Sequence, residues 1–346
     1  MTPPGVAAAA SRAVRRPAVP RPVWLAIGIG SLVLLSLASV AFGNREVSLD
    51  ELLAALGGET NGIGQAAVAA RLPRTVLALL VGAALALSGA ALQGVTRNPL
   101  ADPGILGVSS GASLAVVVGI AYFGLSNPYG YIGVATVGAA LAALFVYSVG
   151  SLGRGGATPL KLALAGAATA AALSSLVSAV LLPRVDILTI FQFWQIGGVG
   201  GAEWDRIGIA LPFLAAGAAI VVLSGRGLNT LALGDDLAAG LGTRVVHTRL
   251  IAFAGAVVLC GAATAVAGPI AFVGLIVPHL CRLLVGPDQR WLLPFSAIAG
   301  AALLVLADVV GRVVARPQEI EVGIITAVIG APFFIWIVRR QKVREL

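Results

Sequence analysis

Apolar residues run through this chain in blocks of about twenty, rather than at the spacing of a half-buried helix or strand. A helix crossing a bilayer takes roughly 20 mostly apolar residues. Ten such blocks follow one another, at about 23–43, 73–94, 104–124, 130–150, 159–183, 205–224, 248–267, 270–285, 291–312 and 321–339. The polar breaks between them are short, so the pattern predicts an all-α membrane protein, a polytopic bundle of ten transmembrane helices. The stretch 184–204 is irregular, with room for a short helix, and the eighth block is short for a comfortable span. Residues 1–22, rich in Pro, Ala and Arg, read as a disordered cytoplasmic tail, leaving 23–346 as one transmembrane domain. The run Trp24–Phe42 is read as a retained first helix, because its apolar core exceeds the usual ~7–15 residues of a signal peptide.

Composition agrees with lipid as the solvent. Of 346 residues, 58% are apolar and 11% charged, with a mean hydropathy of +0.98; a soluble domain has about 25% charged residues. The net charge of +8 is better explained by the positive-inside rule than by nucleic acid. With ten crossings and the N-terminus inside, sixteen of the 23 Lys and Arg lie on the inner side and seven on the outer. Both termini are then cytoplasmic.

Lipid gives helices little hydrophobic reason to associate, so close backbone approach must hold them together. The second block carries Gly82, Ala86, Ala90 and Gly94 at every fourth position, and the third carries Gly107, Gly111, Ala115 and Gly119. Between them, Asn98-Pro99 ends one helix. Asp102-Pro103 is expected to open the next, with Asp102 as N-cap.

Several charges are hard to place. Arg71 and Arg74 share one face at the outer, N-terminal end of the second block, where cations oppose the helix dipole. They either snorkel to lipid phosphates or meet an acidic partner. Asp308 and Arg312 are spaced for an i,i+4 ion pair, structural or functional. Glu319 and Glu321 suit a helix start and need no further role. The loop 225–249 predicts two short helices, LNTLAL and DDLAAGLG, that dock a soluble partner or lie on lipid.

The chain contains no phosphate-cradling GxxxxGK[ST] loop, so ATP hydrolysis would belong to a separate chain. Asp308 is the one carboxylate well inside a block, too little for a proton- or sodium-coupled carrier. Cys260 and Cys281 are far apart, and His279 adds only one neighbour to Cys281, so no metal site is expected.

The chain resembles the FecCD-type permease subunits of ABC importers for ferric siderophores, haem or cobalamin. The resemblance runs from about Trp24 to the C-terminus. It rests on RLPR at 71–74, SGAALQG at 88–94, NPLADPGILGVSSGA at 98–112, LALGDDLAAGLG at 231–242, GPIAFVGLIVPHLCRLLVG at 268–286 and GIITAVIGAPFFIW at 323–336. It implies a ten-helix permease fold paired with a second permease, as homodimer or paralogue heterodimer. Two ATP-binding subunits would sit inside, carrying ATP and Mg, and an extracytoplasmic substrate-binding protein outside. This subunit would bind no cofactor and catalyse no bond change.

The resemblance also assigns residues. Arg71, Arg74 and Arg312 would pair with carboxylates of the binding protein. Asn98 and Leu100 would form one cytoplasmic gate, with Thr158 and Pro159 at the other, where the family often has small polar residues. Leu233, Gly234, Asp235, Asp236, Leu237, Gly240 and Gly242 would couple to the ATPase. Family members commonly have proline where Glu321 stands. The expected substrate is a ferric siderophore, with cobalamin or haem as alternatives on the same machinery. A secondary carrier or channel is the rival from another class.

Overall fold

The computed structural model describes residues 20–104, 107–153 and 159–341. Its described residues form fourteen helices, with no strand among them. They are α1 (Arg21–Ala41), α2 (Leu49–Leu56), α3 (Ile63–Thr96), α4 (Val108–Phe123), α5 (Pro128–Ser151), α6 (Pro159–Leu181), α7 (Val185–Ile196), α8 (Trp204–Leu223), α9 (Gly225–Leu231), α10 (Asp235–Gly240), α11 (Val245–Ala267), α12 (Val273–Val285), α13 (Gln289–Val314) and α14 (Val322–Gln341). Seven of them, α1, α3, α5, α6, α8, α11 and α13, are long and apolar enough to cross a membrane. Helices α4, α12 and α14 occupy the other three expected blocks but are shorter apolar elements. The chain is thus an all-helical multi-pass membrane protein. Most of the tail expected at 1–22 lies outside the described residues, and α1 begins at Arg21.

Helix α3 is the axis of the fold. Its 34 residues make a rod about 50 Å long, well beyond the ~30 Å hydrocarbon core. It starts ten residues before the apolar block does. Polar residues blur the hydropathy there, but Gln65 Oε1 accepts the Gly62 N–H at 2.9 Å and caps the start. Just before it, Ser48 and Glu51 form a reciprocal capping box that fixes α2. Arg71 and Arg74 therefore lie well inside α3, and the expected conflict with its dipole does not arise.

The small-residue ladders are packing seams. Gly82 faces the Gly300 carbonyl of α13 so closely that a Cβ on either residue would overlap the other's backbone. A Cβ at Gly89 would overlap the Gly274 carbonyl of α12, and Gly111 and Gly138 of α5 face each other as closely as Gly82 and Gly300. Helix α3 packs against α13, α11 and α12, while α4, α5 and α6 form a neighbouring layer joined through α11. Helix α1 lies at the edge, its apolar side chains mostly exposed, as a lipid-facing helix requires.

The third apolar block begins later than its sequence suggests. Asp102 does not cap it; its Oδ1 accepts the Gly104 N–H at 2.7 Å in a local turn, and α4 starts at Val108 behind a left-handed Gly107. The intervening turn lies on the first turn of α12, where a Cβ at Gly274 would come within 3.1 Å of Asp102 Oδ2.

Candidate functional site

Two polar clusters sit at opposite ends of α3. At the first end, Arg74 donates to Asp308 through Nε at 2.9 Å and NH2 at 2.8 Å, and to Glu319 through NH1 at 2.6 Å. Asp308 also meets Arg312 NH2 at 2.8 Å, so one carboxylate bridges two guanidinium groups. The i,i+4 pair read from the sequence is present, and a third partner from α3 joins it. Asp308 and Arg312 are each 1% exposed, Arg71 5% and Arg74 8%. Charges this deep need pairing and satisfied hydrogen bonds.

Arg71 and Arg312 spend most of their donors on the end of α1. The last turn of a helix leaves carbonyls without partners, and cations suit its negative pole. Arg71 NH1 donates to the Val40 and Ala41 carbonyls at 3.0 and 2.9 Å, and NH2 to the Arg45 carbonyl at 2.7 Å. Arg312 NH1 donates to the Ser39 and Phe42 carbonyls at 3.1 and 3.2 Å, and NH2 to Ser39 Oγ at 2.8 Å. Gly43 makes the approach possible, since a Cβ there would lie 2.6 Å from Arg71 Nε. These two arginines are thus a C-cap supplied from α3 and α13.

The connector 315–321 from α13 to α14 completes this end. Ile320 N–H donates to the Gly311 carbonyl at 3.0 Å, which pins the connector beside Glu319. Glu321 stands beside Arg74 at the turn around Gly200. Burial pushes its carboxyl up from the ordinary value, Arg74 opposes the rise, and Glu319 and Asp308 add to it.

At the other end of α3, Arg97 closes the helix in a left-handed conformation, φ 51°. Its NH2 meets Asp235 Oδ1 at 2.7 Å, and Arg249 of α11 meets the same oxygen at 3.0 Å. Asp235 opens α10, as the sequence suggests, behind Gly234 at φ 105°, a conformation that suits glycine. Asn229 of α9 donates to Asp288 Oδ1 at 2.7 Å and accepts the Gln289 N–H at 2.8 Å. The α9–α10 loop is therefore anchored to α3, α11 and α13, while Leu233, Leu237 and Leu241 stay exposed upon it. Asp236, Gly240 and Gly242 lie on the same exposed element.

The Asn98 turn follows directly. Asn98 Oδ1 accepts the Leu100 N–H at 2.9 Å, and both residues are half-buried. Behind it, Gln93 donates to the Gly274 carbonyl at 3.2 Å and accepts from Arg282 NH2 at 2.8 Å, tying α3 to α12. Thr158 lies outside the described residues; Pro159 opens α6.

Comparison with known proteins decides the family, because the model of the FecCD transport family matches residues 31–340. The chain belongs to the FecCD transport family. It is 45% identical to the ferric enterobactin transport system permease protein FepD of Escherichia coli, over 92% of this chain and 97% of that protein. It is 44% identical to the cobalamin import system permease protein BtuC of Halobacterium salinarum, over 80% and 74% respectively. A solved structure, described as an inward-facing conformation of a metal-chelate type ABC transporter, superposes with a TM-score of 0.79 at 31% identity. It covers 92% of this chain and 99% of that one.

In this FecCD permease the C-terminal end of α3 lies where the sequence places it, its start lies ten residues earlier, and the partners at both ends carry no sequence signal. Glu319, Arg97, Arg249, Asn229 and Asp288 carry no motif signal of their own; each matters through a contact between distant segments.

Proposed function

We propose that this chain is the translocation subunit of an ATP-driven importer of ferric siderophores in a bacterial inner membrane. Ten crossings place both termini in the cytoplasm, with α4, α12 and α14 completing the set. A second permease, two ATP-binding subunits and an external binding protein make up the assembly. The relatives support the cargo: FepD is named for ferric enterobactin, and other curated relatives are permeases named for siderophores, Fe(3+)-hydroxamate and Fe(3+)-citrate. Cobalamin and haem are the alternatives, on the strength of relatives named for those ligands.

One observation carries the mechanism: a single rigid helix, α3, joins the Arg74–Asp308–Arg312 cluster to the Arg97–Asp235 contact. In our reading the binding protein docks over the first and the ATPases press on the second. The exposed leucines of the α9–α10 loop enter a cleft of the ATPase. Its motion on ATP binding passes through Asp235 to Arg97 and the adjoining Asn98–Leu100 turn, which serves as one gate. Thr158 and Pro159 belong to the other.

The docking role falls unequally on the three arginines. Arg71 and Arg312 hold α1 and underlie the face, while Arg74 lies beneath a surface carboxylate. Reversing Arg71 to Glu would therefore unseat α1 as well as alter docking. The assembly itself is tested by co-purification. Tagged permease should bring down its ATPase in equal amount, and Leu237→Asp should lose the ATPase while keeping the permease pair. Retention of the ATPase by that variant would count against the coupling assignment.

A further inference from the structure

We propose that Glu319 is a resident stand-in for the partner's carboxylate: it occupies Arg74 in the free permease and is displaced when an acidic partner docks. The inference rests on the docking reading above. Among the three arginines, only Arg74 spends a donor on a surface carboxylate. Arg71 serves the carbonyls of Val40, Ala41 and Arg45, and Arg312 serves Asp308, Ser39 and the Phe42 carbonyl. Arg74 keeps Nε and NH2 on buried Asp308, but its NH1 points to Glu319 Oε2 at 2.6 Å. The Glu319 side chain is 28% exposed, against 1% for Asp308.

The connector is pinned at Ile320, so the exchange is a swing of the Glu319 side chain, with little holding the segment before it. Pro317 and Gln318 are exposed, and the tether preceding them, Arg316 to the 91% exposed Glu46, is a single 3.4 Å contact. Exposed pairs of this kind hold weakly. When Glu319 swings away, Arg74 keeps both its contacts to Asp308, which it shares with Arg312, and Glu321 stands close by. The cluster therefore survives the exchange, and NH1 is left with one free donor aimed at the surface. A carboxylate from a partner replaces one charge-assisted hydrogen bond with another of the same kind. Docking is thereby selective for a partner that places an acid at this point, since any other would strand the Arg74 donor.

The test uses the assembled transporter in nanodiscs and the importer's own substrate-binding protein, ligand-free, on an immobilised surface. Glu319→Gln should tighten docking about twofold to fivefold, the range an exposed ion pair is worth, mainly through a slower off-rate. Asp50→Asn removes a like charge from exposed α2 at the same end and touches neither Arg74 nor the connector, so it should alter only the on-rate. Equal effects of the two variants, or weaker docking with Glu319→Gln, would overturn the exchange. Absence of docking by the unaltered transporter would instead remove the docking reading itself.

Discussion

Arg74 and Asp308 are 234 residues apart in the chain, yet the guanidinium and carboxylate meet at 2.8 Å with Asp308 only 1% exposed. Because Asp308 also holds Arg312, it is the hub on which α3, α13 and, through the Ser39 contacts, α1 converge. Removing one partner of a buried pair costs about 3–5 kcal/mol, because the other charge is left uncompensated. Asp308→Asn should therefore lower the thermal midpoint of the detergent-solubilised protein clearly, and Asp308→Ala at least as far. An unchanged midpoint would show that the hub contributes nothing to stability.

The Gly82–Gly300 seam makes a sharper packing prediction. A side chain at Gly82 would enter the Gly300 backbone, whereas a Cβ at Gly30 of α1 meets nothing within 4 Å. Overpacking costs typically about 1–3 kcal/mol, and more where backbone must move. Gly82→Val should cut the yield of folded protein and lower its midpoint, while Gly30→Val should leave both alone. Equal tolerance at the two positions would contradict the seam.

Asp235 holds Arg97 and Arg249 together at the far end of α3. Asp235→Ala should leave ATP hydrolysis by the assembled complex but reduce transport per ATP by about fivefold or more, the size of a usual coupling free energy. Loss of hydrolysis and transport in the same proportion would assign Asp235 a simple assembly role instead.

Glu321 gives a pH dependence. Burial raises its carboxyl in the folded protein above the ordinary value, so its contribution is fully present at low pH and is lost as pH rises through the folded value. Glu321→Gln should accordingly stabilise the protein more at pH 8 than at pH 5. A larger gain at pH 5 would reverse the sign and contradict the burial of this carboxyl.

The local features were legible in the sequence because they depend on near neighbours. The apolar blocks overlap the helices, though α4 starts at Val108 and α9 at Gly225, and the small-residue ladders, the Asp308–Arg312 spacing and the short helix opened by Asp235 fall where the structure has them. The start of α3 was not, because Gly62, Gln65 and the two arginines dilute the apolar pattern on which the block was drawn. Nor was the role of Arg71, since a helix dipole argument on its own helix says nothing of the α1 carbonyls it would cap. Glu319 looked sufficient as a helix-start acid until folding placed Arg74 against it. In each case the missing information was a contact between remote segments, which periodicity does not carry.

ATP-dependent uptake in proteoliposomes tests the central claim most directly. The permease is reconstituted with its ATPase and offered ferric siderophores, haem and cobalamin, each with and without ATP and the binding protein. Our account predicts accumulation of a ferric siderophore only when both are present. Uptake without ATP would contradict it in favour of a secondary carrier or channel, and ATP-driven uptake of haem or cobalamin alone would overturn the assigned cargo.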